Sequence, residues 1–119
     1  MTAREKIAIW PSDRASRQTV RAAEVLTGTR VVTVEEVERY QALVFGPNAA
    51  TRNVDLPPEE QCQGVALEIY NLSTTGGATL VVRDDAAATI VTIPITAAGQ
   101  RKGARLVCDG AAWFGMLGA

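Results

Sequence analysis

The apolar and polar positions of this chain change character near Gly28. Beyond it the apolar residues fall into short blocks of the length and composition of β-strands. Arg30-Val31-Val32-Thr33-Val34 is dense in β-branched side chains, which suit a pleated, half-buried surface. The acidic stretch Glu35-Glu36-Val37-Glu38-Arg39-Tyr40 reads as one helical turn or a loop, and Ala42-Leu43-Val44-Phe45 as a strand stopped by Gly46-Pro47-Asn48. A strand over Thr51-Arg52-Asn53-Val54-Asp55-Leu56 ends at Pro57-Pro58, because neither proline can donate to a ladder. Val65 to Asn71 alternates, placing Val65, Leu67 and Ile69 on one face and Ala66, Glu68 and Tyr70 on the other. Further strands follow at Thr79-Leu80-Val81-Val82-Arg83, Thr89-Ile90-Val91-Thr92-Ile93, Ala104-Arg105-Leu106-Val107-Cys108 and Ala112-Trp113-Phe114-Gly115-Met116. Gly76-Gly77, Asp84-Asp85, Gly99 to Gly103 and Asp109-Gly110 mark the turns between them. About seven or eight short strands with turns every 8–12 residues predict a mainly β fold, a small sandwich or barrel.

Residues 1–28 have a different pattern and are expected to form an N-terminal arm, with a β domain over 29–119. Pro11-Ser12-Asp13 is a turn signal whose Ser12 or Asp13 suits the cap of a short helix over residues 14–26. Val20, Ala23 and Leu26 recur at a spacing of three, but the stripe is narrow and gains little by packing. Two readings stay open: an arm ordered against a partner, or a helix lying on its own domain. Arg4, Lys6, Arg14, Arg17 and Arg21 against Glu5, Asp13 and Glu24 make residues 1–27 net basic. The arm's candidate contact residues are therefore Ile7, Ile9 and Trp10 for an apolar groove and Arg14, Arg17 and Arg21 for an acidic surface.

Composition narrows the chemistry. The 119 residues suit one domain, and 47% apolar with 21% charged residues is ordinary globular usage. With 12 basic and 13 acidic residues the net charge is −1, without the basic excess that neutralising phosphates demands, so no nucleic acid is expected. No apolar run approaches the roughly 20 residues that span a bilayer, and Ile7-Ala8-Ile9-Trp10 stops at Pro11 where a secretion signal would continue. Neither a membrane location nor export is expected. The chain has no histidine, the commonest general base and metal ligand. Adjacent carboxylates at Glu59-Glu60 and Asp84-Asp85 do not converge on a substrate, and Asp84, Asp85 and Asp109 do not make a calcium loop. Trp10, Tyr40, Tyr70 and Trp113 could stack on a sugar, yet rings this scattered are more often core and interface residues. Cys62 and Cys108 lack a metal or redox spacing and are expected to be reduced, buried and inert. The chain is thus expected to be no enzyme, with no catalytic, cofactor-binding or metal residues.

The run Val54-Asp55-Leu56-Pro57, then Cys62-Gln63-Gly64 leading into Leu67-Glu68-Ile69-Tyr70-Asn71, resembles a pattern of small β modules in tailed-bacteriophage virions. Thr79-Leu80-Val81-Val82 and the closing Val107-Cys108-Asp109-Gly110-Ala111-Ala112-Trp113 extend the resemblance over about residues 29–116. Such modules are capsid decoration (cement) proteins, head fibres and tail fibres. The resemblance implies a jelly-roll-like fold and a homotrimer. It also implies a structural virion protein that binds the major capsid protein on the outer surface of a head assembled in the host cytoplasm. The alternative is a head-fibre or tail-fibre module recognising a cell-surface glycan. A decoration protein should present a broad footprint, and a glycan binder a groove with exposed aromatics beside polar groups.

Overall fold

The computed structural model describes residues 18–48, 51–73, 78–95 and 102–118. Ten strands, one short α-helix and a 3-10 turn lie within them. In chain order these are β1 (Gln18–Val20), β2 (Glu24–Leu26), β3 (Arg30–Val31), α1 (Val34–Arg39), β4 (Tyr40–Pro47), β5 (Arg52–Asp55), the 3-10 turn (Glu59–Gln61), β6 (Ala66–Asn71), β7 (Thr79–Arg83), β8 (Thr89–Pro94), β9 (Lys102–Cys108) and β10 (Trp113–Leu117). They build a small β sandwich. One sheet has six strands in the order β1-β4-β6-β9-β10, with β2 also on β4; the other runs β3-β5-β7-β8.

From β2 to β7 the chain crosses between the sheets at every connection. β2, β4 and β6 belong to the larger sheet, while the alternating β3, β5 and β7 belong to the smaller. Each return is therefore parallel, and the strand of the opposite sheet serves as the crossover that parallel pairing requires. The five pairings β1–β4, β2–β4, β4–β6, β3–β5 and β5–β7 are parallel. Only the last three strands turn back, giving antiparallel β7–β8, β6–β9 and β9–β10. A jelly roll is antiparallel throughout, so the sandwich here is wound differently from the one the resemblance implies. Composition and alternation predict strands, but they do not say which neighbour a strand chooses.

Alternation fills the space between the sheets. Leu43 and Phe45 of β4, Leu67 and Ile69 of β6 and Leu106 of β9 point inward from one side; Val54, Leu80, Val82 and Ile93 meet them from the other. All are fully buried, and each contributes about 1.5–3 kcal/mol. Cys62 and Cys108 are free, buried members of this core, as expected. Two polar side chains fasten the layers. Asn71, wholly buried at the end of β6, donates to the Ile93 carbonyl of β8 at 2.9 Å and accepts from the Ser73 backbone N–H at 3.0 Å. Trp113 Nε1 donates to the Pro57 carbonyl at 3.0 Å, anchoring β10 beneath the connection between β5 and β6.

Two sequence expectations change. The helix over residues 14–26 does not form across its described part, where β1 and β2 pair with β4 instead. A narrow stripe at a spacing of three offers a helix little to bury, whereas as a strand the segment saturates one edge of β4 and sends Leu26 into the core. The part of the arm that is described is thus built into the sheet. The strand expected over residues 30–34 stops at Val31, because Thr33 caps a helix. Its hydroxyl accepts from the Glu36 N–H at 3.2 Å, and the Glu36 carboxylate accepts from the Thr33 N–H at 3.0 Å. This reciprocal pair is a capping box. The last strand is as expected, closed by a turn in which Gly110 takes φ +96° and the Asp109 carboxylate accepts from the N–H groups of Ala111 and Ala112 at 2.8 and 2.9 Å.

Deleting residues 1–26 strips β1 and β2 from β4 and removes Leu26 from the core. The lost side-chain burial alone is worth about 1.5–3 kcal/mol, with about 1 kcal/mol for each backbone hydrogen bond lost. Thermal unfolding followed by far-UV circular dichroism should show no cooperative transition, or one at a much lower temperature. A truncated chain that keeps the parent's transition would show that the segment is dispensable for folding.

Candidate functional site

A sandwich of two sheets has two outer faces, and here they differ in chemistry. On the four-stranded sheet, register places Val31, Asp55 and Arg83 in one row and Asn53, Val81 and Thr92 in the next. Arg83 donates to Asp55 through Nε at 2.7 Å and Nη2 at 3.0 Å, a two-pronged pair that raises the arginine's pKa. This face carries an internal ion pair, with Val31 beside it 61% exposed.

The outer face of the six-stranded sheet is apolar. One row runs Val20, Ala42, Glu68, Arg105 and Met116 across β1, β4, β6, β9 and β10. Beside it run Ala66, Val107 and Phe114 on one side and Val44, Tyr70 and Gly103 on the other. Val25 of β2 shares the face next to Gly46. Exposure is high for side chains of this kind: 51% for Val20, 71% for Val25, 53% for Phe114 and 73% for Met116. Large exposed apolar patches of this sort mark contact surfaces on soluble proteins.

Polar groups sit at the middle of this face. The Tyr70 hydroxyl donates to the Glu68 carboxylate at 2.6 Å, and that bond, with some burial and the nearby negative charge, raises the tyrosine's pKa. Its ring lies over Gly103, where a Cβ would come within 2.6 Å of Tyr70 Cε1, so only glycine fits beneath it. Arg105 stands opposite Glu68 in the register but makes no ion pair or side-chain hydrogen bond among the described residues. Two shallow depressions flank Glu68 and Tyr70. One extends toward Thr19, Val20, Gln41 and Ala42, the other toward Lys102, Gly103, Met116 and Leu117. Both are lined by Glu68, Tyr70 and Arg105, and the second also by Lys102.

The residues singled out in the sequence fall elsewhere. Ile7, Ile9, Trp10, Arg14 and Arg17 lie outside the described residues, as does the Gly76-Gly77 turn. Arg21 is described. It follows β1, so the helical spacing shared with Arg14 and Arg17 does not hold there, and its guanidinium is engaged within the chain. It bonds Glu24 at 3.0 Å and reaches Glu36 at 3.4 Å. Arg30 joins the same carboxylates, through Nε to Glu24 at 3.0 Å and through Nη1 and Nη2 to Glu36, and lies 5.6 Å from the centroid of the Phe45 ring. The network ties β2, β3 and the first turn of α1 together. Burial pushes the Glu36 carboxyl up, but the Arg30 hydrogen bonds, the Thr33 N–H and the two arginine charges outweigh it, and the net shift is downward.

The other candidates disperse as well. Asp84 accepts from the Ala86 and Ala88 N–H groups at 2.9 Å, holding its own turn, and Asp109 does the same in the β9–β10 turn. No group of three or more metal-ligating side chains occurs among the described residues. Trp113 faces inward while Tyr70 faces outward, so these rings form no common platform. No helix among the described residues is long and apolar enough to cross a membrane. Sequence alternation along β6 already separates Ala66, Glu68 and Tyr70 from the core; only the register shows that Val20, Val107, Phe114 and Met116 join them. Compared with known proteins, the chain matches no family model, no curated protein and no solved structure.

Glu36 gives this region a pH dependence with a definite sign. Its pKa is lower folded than unfolded, so its contribution is present above the unfolded value of about 4.5 and is lost as pH falls through the folded value. Glu36→Gln should be less stable than the parent at neutral pH, and the difference should shrink on acidification to about pH 3. Urea midpoints at the two pH values measure this; a difference that stays constant would show that the carboxylate's charge is not what matters.

Proposed function

We propose that this chain is a structural assembly module that works through a broad contact surface rather than a chemical site, in the specific form of a capsid decoration protein of tailed bacteriophages. The contrast between the two outer faces carries the reading. One face carries its own ion pair and, among the described residues, one strongly exposed apolar side chain, Val31. The other carries Val20, Val25, Val107, Phe114 and Met116 at an energetic disadvantage that only a partner relieves. A surface of this kind holds other proteins by buried area and shape, which is what a cement protein needs to oppose separation of capsid subunits.

The breadth of the face favours decoration over glycan recognition. A sugar site needs aromatic rings beside convergent polar groups in a groove. Phe114 and Tyr70 instead lie on an open sheet, and the Tyr70 hydroxyl is committed to Glu68. The resemblance over residues 29–116 supplies the virion as the setting and the major capsid protein as the partner. On that reading the net-basic N-terminal segment, with Ile7, Ile9, Trp10, Arg14 and Arg17, adds contacts to the shell.

Quantitative mass spectrometry of purified particles from the source of this chain tests the proposal. The chain should be present in copy numbers comparable with the major capsid protein. A few copies per particle would indicate a fibre tip and overturn the decoration reading, and absence from particles would overturn the virion setting altogether.

A further inference from the structure

We propose that two copies of this chain pack their six-stranded sheets face to face, across a two-fold axis that runs along the strands between β6 and β9. The inference rests on the reading of the outer face as an assembly surface: in the free chain a second copy occupies it, and a shell that bound the same face would displace that copy. A half-turn about such an axis lays β6 of one copy over β9 of the other and β4 over β10. Glu68 and Arg105 are register partners, so they lie at the same height on β6 and β9. The operation therefore sets Glu68 against the second copy's Arg105, and Arg105 against its Glu68. Each guanidinium that has no ion pair within the described residues meets a carboxylate that otherwise accepts one tyrosine hydroxyl.

The apolar positions match under the same operation. Ala66 comes over Val107, and Met116 comes over the depression in which Ala42, in the row of Glu68, lies buried. Small side chains thus oppose large ones, the pattern that lets facing layers interdigitate. Sheets stacked about 10 Å apart with strands within about 30° of alignment leave room for these contacts. The four strands that overlap, β4, β6, β9 and β10, lie about 4.8 Å apart and span about 14 Å, and a six-residue strand is about 20 Å long. The footprint is about 280 Å² of flat sheet, roughly a third of the 800 Å² per partner of a standard interface. Association is accordingly expected in the micromolar range or weaker, and the two reciprocal charge pairs set its register rather than its strength.

Sedimentation velocity of the full chain, from about 1 µM to about 1 mM, reads the result directly. A monomer–dimer equilibrium is expected. Arg105→Glu and Glu68→Arg should each weaken it about tenfold or more, and the double variant E68R/R105E should recover affinity to within about threefold of the parent, since the swap restores both pairs. Because Glu68 and Arg105 are also neighbours within one chain, an equimolar mixture of the two single variants, which restores opposite charges only between copies, should likewise associate more tightly than either alone, and this separates a contact from a folding defect. A chain that stays monomeric throughout, that forms the trimer implied by the resemblance, or whose double swap is no better than the single variants would overturn the two-fold arrangement. Particle binding, measured separately, keeps the two proposals apart: a monomer that decorates particles sinks this inference alone, and a dimer absent from particles sinks only the capsid reading.

Discussion

Everything in this structure depends on one constraint: two sheets share a single core, so each has one face left over. The crossing path of the chain enforces it. Because successive strands from β2 to β7 alternate between sheets, the inward residues of each are matched by inward residues of the next, and Leu43, Phe45, Leu67, Ile69, Leu80 and Val82 form one apolar layer. Asn71 and Trp113 fix that layer where packing alone would let the sheets slide. Each satisfies backbone groups that burial would otherwise leave unpaired, at a cost of about 1–3 kcal/mol apiece. With the inner faces committed, the character of the molecule is decided by its two outer ones.

The outer faces are handled in different ways. Arg83 and Asp55 neutralise each other on the smaller sheet. Near the junction of the sheets, Arg21, Arg30, Glu24 and Glu36 do the same for β2, β3 and α1. Charge on these parts is consumed internally and contributes to shape. On the larger sheet the ionic groups are sparse and the apolar ones exposed, which is the composition of a contact surface centred on Glu68, Tyr70 and Arg105. Gly103 allows the Tyr70 ring to lie flat against the sheet, between two shallow depressions.

Much of this was legible in the sequence, and the part that was not has a common cause. The alternation in Val65 to Asn71 places each side chain on the correct face, and the Asp109-Gly110 turn leads into the last strand as expected. Cys62 and Cys108 are buried as their apolar character suggests. Pairing was hidden, because strand composition says nothing of parallel or antiparallel neighbours. Val20, Ala23 and Leu26 mimic a helical spacing until β4 is present to receive the segment. Thr33-Val34-Glu35-Glu36 holds a capping box that β-branched neighbours masked. The contact face was hidden for the same reason as the pairing: its residues come from β1, β2, β4, β6, β9 and β10, and only the register assembles them.

The central claim is that the exposed apolar side chains of the larger sheet serve contact rather than folding. The most direct measurement is the unfolding free energy of a triple variant, Val107→Thr, Phe114→Thr and Met116→Thr, at a concentration where parent and variant are both monomeric. Threonine retains strand propensity while removing the apolar surface. Because these side chains already meet water in the folded chain, urea unfolding should agree with the parent to within about 1 kcal/mol. A loss of several kcal/mol would mean that they belong to the core's support, and that the outer face is not a contact surface.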